Sequence, residues 1–146
     1  MGGNDGDLQP SVDTPIPGCE TALSFRYVRG FLEKTMMYSG ALKIRRLMSR
    51  SLGNKLKTNF IEEACYNLVY LEVAACRLTT LPRELAQLAP NLRVLNLNYN
   101  FLEDVAALDG LTRLKKLTMI GSRLKGTKPL IRVLQRMPDV EMVDLR

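Results

Sequence analysis

The sequence predicts an α/β fold: a short solenoid with a parallel sheet on its concave face and a helical cap region at its N-terminal end. Three observations carry this. Apolar positions recur through the C-terminal half of the 146-residue chain at intervals of 24, 22 and 26 residues (68 to 92, 92 to 114, 114 to 140). Inside each copy the apolar residues alternate with period two over a few positions, the signature of a short strand with one face inward. Ahead of the copies, Tyr27, Val28, Phe31, Leu32, Thr35 and Met36 recur at helical spacing until Ser39-Gly40 ends the run.

The first copy reads Leu68, Leu71, Val73, Cys76, Leu78, spaced L-x-x-L-x-V-x-x-C-x-L, and is followed by Leu81-Pro82, Leu85 and Leu88. The second places Leu92, Leu95, Leu97, Asn100 and Leu102 at the same spacing, with Val105, Leu108 and Leu111 after it. The third has Leu114, Leu117, Met119, Ser122 and Leu124, then Leu130, Val133 and Leu134. A fourth starts as Val140, Val143 and Leu145. This is the pattern of leucine-rich repeats. An amphipathic bundle with accidental leucine spacing does not reproduce two copies matching at all five strand-and-bend positions.

Stacked copies put the strands side by side and the later leucines on the convex side, in short helices or tight turns. Asn100 stands where a side-chain amide satisfies backbone groups at the bend after the strand, each worth roughly 1–3 kcal/mol if left unpaired. Cys76 is an accepted occupant of that position; Ser122 departs from it and predicts a looser third bend. Side chains between the core positions must point away from the core. They are Tyr70, Glu72 and Ala74; Val94, Asn96, Asn98 and Tyr99; Lys116, Thr118 and Ile120; and Met142, Asp144 and Arg146. We read this mixture of aromatic, apolar and charged groups as a protein-binding concave face, with Tyr70, Tyr99 and Arg146 of the types that most often dominate interface energies.

Three segments organise the chain. Residues 1–20 hold Gly2, Gly3, Gly6, Gly18, Pro10, Pro15 and Pro17 and read as a disordered tail. Thr14-Pro15 in it suits proline-directed phosphorylation, though a plain linker is the simpler reading. Residues 21–66 read as the helical cap, with a possible degenerate first repeat over 44–67, because Ile44 and Leu47 lie 24 residues before Leu68 and Leu71, and Ile61 and Ala64 the same distance before Leu85 and Leu88. Residues 67–146 are the repeats, three plus a truncated fourth, and this mid-repeat ending predicts a piece of a longer protein.

Composition excludes more than it assigns. The net charge of +6 is uneven: residues 1–20 carry four acidic and no basic side chains, whereas 26–57 carry nine basic and one acidic. Such a basic segment suits nucleic acid, an acidic partner or an anionic membrane surface. A solvated face of the cap is the favoured reading, because no aromatic interleaving of the base-stacking kind accompanies it. With no histidine, no triad, no Cys-His pair and no His-ligated metal can form within the chain. Cys19, Cys65 and Cys76 are odd in number and irregularly spaced, predicting reduced thiols rather than a disulfide framework or zinc site. No Walker or GxGxxG motif, signal peptide or apolar run of membrane length occurs. The expectation is an intracellular, cytoplasmic, non-enzymatic binding module with no cofactor, no metal and no membrane or nucleic-acid partner.

Four stretches resemble one particular group of such proteins: NLVYLEVAACRL over 67–78, PNLRVLNLNYN over 90–100, RLKKL over 113–117 and VDLR over 143–146. They are similar to the fungal spindle-pole-body scaffold of the septation-initiation and mitotic-exit networks, a family related to animal centriolin. The resemblance covers about half the chain. It implies a cell-cycle scaffold anchored at the spindle pole body that recruits a small GTPase module and kinases; the family's long N-terminal region has no counterpart here. Two other classes fit the pattern, a phosphatase-regulating leucine-rich-repeat subunit and an RNA-associated repeat protein, the first with a steadier 22-residue period and the second suited by the basic segment.

Overall fold

The computed structural model describes residues 20–28, 31–38, 43–50, 56 and 60–146. The tail expected over 1–20, with Thr14-Pro15 and Cys19, lies outside the described residues but for Glu20. Seven strands form one mixed sheet: β1 (Thr21–Val28), β2 (Phe31–Tyr38), β3 (Lys43–Arg50), β4 (Leu68–Val73), β5 (Val94–Asn96), β6 (Lys116–Thr118) and β7 (Met142–Asp144). Their order is β3-β2-β1-β4-β5-β6-β7. From β1 through β7 the pairing is parallel; β2 and β3 extend the sheet as an antiparallel meander. On the far side of the core the chain returns through α1 (Leu85–Leu88), a 3-10 turn (Ala106–Leu108) and α2 (Lys128–Leu134).

The parallel register follows from the leucines. Leu71, Leu95, Leu117 and Val143 stand in one cross-strand row. The first three are fully buried, as are Leu97 and Met119, two residues on and just past the ends of β5 and β6. A one-residue slip would bring every one of these to the solvent face, losing roughly 1.5–3 kcal/mol for each large side chain. Leu78, Leu85, Leu102, Leu108 and Leu111 close the core from the return side.

Among the described residues of 21–66 the expected helix is replaced by strand, over Thr21–Val28, Phe31–Tyr38 and Lys43–Arg50. Leu23 and Phe25 are buried, while Ala22, Ser24 and Arg26 alternate with them. β1 lies beside β4 with Leu23 opposite Leu71 and Phe25 opposite Val73, so it occupies the place of a first repeat strand. The apparent 3-4 spacing joins residues of both faces: Tyr27, Leu32 and Met36 stand on the side of Leu23, and Phe31 and Thr35 on the side of Ser24. An exposed β4 edge offers unpaired backbone groups, and a strand satisfies them where a helix cannot.

The degenerate first repeat is likewise corrected. Ile44 belongs to β3, where it pairs with Met37 and has β2 and β1 between it and β4. Leu56 and Ile61 are buried in the same core, and the Leu56 N–H donates to the Cys76 carbonyl at 3.2 Å. β2 and β3 thus lie in sequence between β1 and these residues. Phe25 meets Phe60 edge-on, ring centroids 5.3 Å apart.

Candidate protein-binding face

Asn100 sets the geometry at the end of the strands. Its Oδ1 accepts the N–H groups of Cys76 (3.1 Å) and Leu78 (3.0 Å), and its Nδ2 donates to the carbonyls of Val73 (2.6 Å) and Leu97 (3.1 Å). One buried amide therefore ties two consecutive coils together at the bend expected from the sequence. Cys76 does less at its own bend: its thiol donates to the Ala74 carbonyl at 3.2 Å and lies 3.5 Å from that of Phe25. Burial, reinforced by the charge of Glu72, pushes this thiol up to about 12.

Just before each of these bend positions the backbone turns left-handed, at Ala75 (φ 53°), Tyr99 (φ 60°) and Gly121 (φ 74°). For the two non-glycine residues this costs about 1–2 kcal/mol each. It is held by N–H groups donated across the coils: Ala75 to Asn98, Tyr99 to Ile120 and Gly121 to Arg146, at 2.7–2.9 Å. A Cβ on Gly121 would stand 3.0 Å from Tyr99 Cδ1, so the tyrosine ring lies over that glycine. Tyr99 is 61% exposed yet fixed in place.

The outward side chains form three rows. One runs Met37, Ala22, Tyr70, Val94, Lys116, Met142, and is apolar but for the lysine. Its neighbour runs Thr35, Ser24, Glu72, Asn96, Thr118, Asp144. Ala74, Asn98, Ile120 and Arg146 follow two residues further on, past the ends of β4, β5, β6 and β7.

Glu72 is the hub of the middle row. Its carboxylate accepts Ser24 Oγ (2.9 Å), Arg26 Nη2 (2.9 Å), Tyr70 OH (3.2 Å) and Asn96 Nδ2 (3.5 Å). Partial burial, then the charge and hydrogen bond of Glu72, raise the Tyr70 phenol and keep it a donor. Asp144 and Arg146 neutralise each other through bonds of 2.8–3.2 Å, and those bonds hold the Asp144 carboxyl below the usual carboxylate range. Asn98 braces the sheet by accepting the Ile120 N–H on its Oδ1 at 2.9 Å. Thr118 is 9% exposed, and its hydroxyl has no hydrogen-bond partner. The Glu72 and Asp144 carboxylates of the floor are therefore paired from within, and Lys116 adds a charge with no ion pair among the described residues.

All thirteen residues named from the sequence lie on this side of the sheet or, for Tyr99, at its rim. Ala22, Ser24, Arg26, Thr35 and Met37 were missed, because a helical reading of 23–38 hides the alternation of Leu23, Phe25 and Tyr27 that would have found them. Among the described residues no three potential metal ligands cluster, and no helix is long and apolar enough to cross a membrane.

Comparison with known proteins bears on this region. The leucine-rich-repeat family model matches residues 66–124. Over 77 residues, 53% of this chain, the sequence is 35% identical to the septation initiation network scaffold protein cdc11 of Schizosaccharomyces pombe. The aligned part spans about 7% of that relative's length.

Proposed function

We propose, from the premise that residues 66–124 are leucine-rich repeats similar to a septation-network scaffold, that this chain is a protein-binding module of a cell-cycle signalling scaffold. In this reading the parallel sheet is the concave face of a solenoid made by residues 67–146, the β1–β3 segment within 21–66 is its N-terminal cap, and 1–20 is a tail. The module works at a spindle pole body in the cytoplasm, carries out no chemistry, and holds kinases and a small GTPase module as partners.

The observation that supports it best is the floor of the sheet. Its carboxylates are already neutralised from within, so a partner covering it need not strand an unpaired buried carboxylate, a loss that costs several kcal/mol. Around them stand exposed apolar side chains, Met37 (51%) and Met142 (41%), and the exposed Tyr99 ring.

Changing Tyr70 and Tyr99 together to Ala is expected to weaken partner binding by about 2 kcal/mol or more, roughly thirtyfold, with the fold intact. Affinity capture from synchronised cells is expected to recover kinases and a small GTPase with the parent chain and to lose them with the double variant. Recovery of a phosphatase catalytic subunit or ribonucleoprotein instead would overturn the scaffold reading. Undiminished recovery by the variant would move the docking site to the return-side groove between Ile61, Leu81, Pro82 and Leu88.

A further inference from the structure

We propose that the outward face of the sheet takes one amphipathic helix of the protein partner, laid across the strands and carrying acidic residues on its flank over β5 and β6. The helix follows the row Met37, Ala22, Tyr70, Val94, Lys116, Met142. The proposal rests on the reading of this face as a protein-binding surface and specifies what binds there.

Backbone accounting selects a helix. β1, β4, β5 and β6 each have a hydrogen-bonded strand on both sides, so this face offers no edge to which an extended segment can add. The polar row beside the apolar one is engaged within the fold, apart from the buried Thr118 hydroxyl. Thr35 donates to Glu33 at 3.2 Å, and Ser24 and Asn96 donate to Glu72. Asn96 Oδ1 accepts the Asn98 N–H at 3.0 Å, and Asp144 holds Arg146. An extended segment covering this face therefore leaves peptide N–H and C=O groups shut from water without partners. A helix makes those bonds within itself.

Dimensions agree. Strands about 4.8 Å apart make the six-strand row about 24 Å long. A helix of about 16 residues has that length, and its pitch of about 5.4 Å brings one turn over roughly each strand. Five of the six row residues are apolar or aromatic, and the Tyr70 hydroxyl is already donated to Glu72. The apolar stripe of an amphipathic helix matches such a row.

Charge fixes the flank. Lys116 stands in the row, with Arg93 and Lys115 beside it just before β5 and β6, where the Lys115 N–H donates to the Arg93 carbonyl at 2.8 Å. All three are exposed, and none has a carboxylate within 4.0 Å among the described residues. Glu141 takes the next place in that line, before β7, which confines the positive border to β5 and β6. Across the row, Glu72 and Asp144 are each held by an arginine. A helix with acids on one side of its apolar stripe complements this asymmetry.

The probe is a fluorescein-labelled peptide of about 18 residues, with leucines at alternating three- and four-residue spacing and glutamates along one flank. It is titrated against the full chain by anisotropy, circular dichroism and amide shift mapping. Saturable binding with a gain of helical signal is expected, weakened by salt, with shifts on Tyr70, Val94, Lys116 and Met142. The Lys115→Gln, Lys116→Gln double variant, altered only at exposed side chains, is expected to lose about fivefold in affinity at unchanged melting temperature. Ile131→Asp, on the exposed side of α2, is expected to bind the probe as before. Equal binding of a proline-interrupted peptide or of a Gln-for-Glu peptide would overturn the proposal, as would undiminished binding by the double variant or shifts centred on Ile61 and Leu88. A chain that captures its partner through Tyr70 and Tyr99, yet binds the helical probe no better than the interrupted one, would overturn the helix and leave the binding face standing. Loss of both would overturn the two together.

Discussion

Asn100 is buried with both ends of its amide engaged, and the alternative to each of its bonds is a backbone group sealed from water. Asn100→Ala is expected to cost about 3 kcal/mol or more in chemical denaturation, since it orphans the N–H groups of Cys76 and Leu78 and the Val73 carbonyl together. A loss below about 1 kcal/mol would show that the bend does not depend on it. Cys76 makes a pH prediction. Its folded-state value, about 12, lies above the ordinary 9.0, so the neutral thiol is favoured by folding. That contribution is complete below pH 9 and is lost as pH rises towards 12. Stability is therefore expected to fall through this alkaline window, and Cys76→Ala to flatten the fall. In the native chain Cys76 is expected to resist a thiol reagent that labels the half-buried Cys65. Gly121 is constrained from two sides, by its positive φ and by the ring above it. Gly121→Ala is expected to cost about 1 kcal/mol and to shift the Tyr99 ring resonances.

At the scale of elements, the β1–β2 pair separates a strand cap from a helical one. Phe25 is buried between Val73 of β4 and the returning Phe60. Phe25→Ala is expected to lower stability by about 3–5 kcal/mol as a large cavity mutation. Cross-strand proton contacts between Ser24 and Thr35 are expected in solution, and i-to-i+3 contacts over 23–38 would instead restore the helix. Sequence periodicity misled here for a definable reason. Within β2, Leu32 and Met36 on one face and Phe31 and Thr35 on the other are each four residues apart, a spacing that an alternating strand shares with a helix. Only the edge of β4, a partner distant in sequence, decides between the two.

For the whole molecule, the leucine layers bind each coil chiefly to its neighbours, so stability is close to a sum of coil and interface contributions. Leu95 sits in a central layer, fully buried between Leu71 and Leu117. Leu95→Ala is expected to cost about 2–5 kcal/mol in thermal unfolding, by removing packing on both sides at once. A loss under about 1 kcal/mol would reject the register of the sheet.

The parallel strands β4 to β7, their inward leucines, the Asn100 bend and the outward side chains between them were all legible in the sequence. Each is set by the alternation of a strand or by a spacing repeated along the chain, and both are local properties that survive without knowledge of the fold. What the sequence left open was decided by contacts between distant segments. β1 was drawn to the free edge of β4, some forty residues later in the chain; β2 and β3 were set outside the repeat ladder; and Ser24 and Arg26 were brought onto Glu72. Periodicity records what each coil repeats; only packing shows what the coils, once adjacent, hold in common.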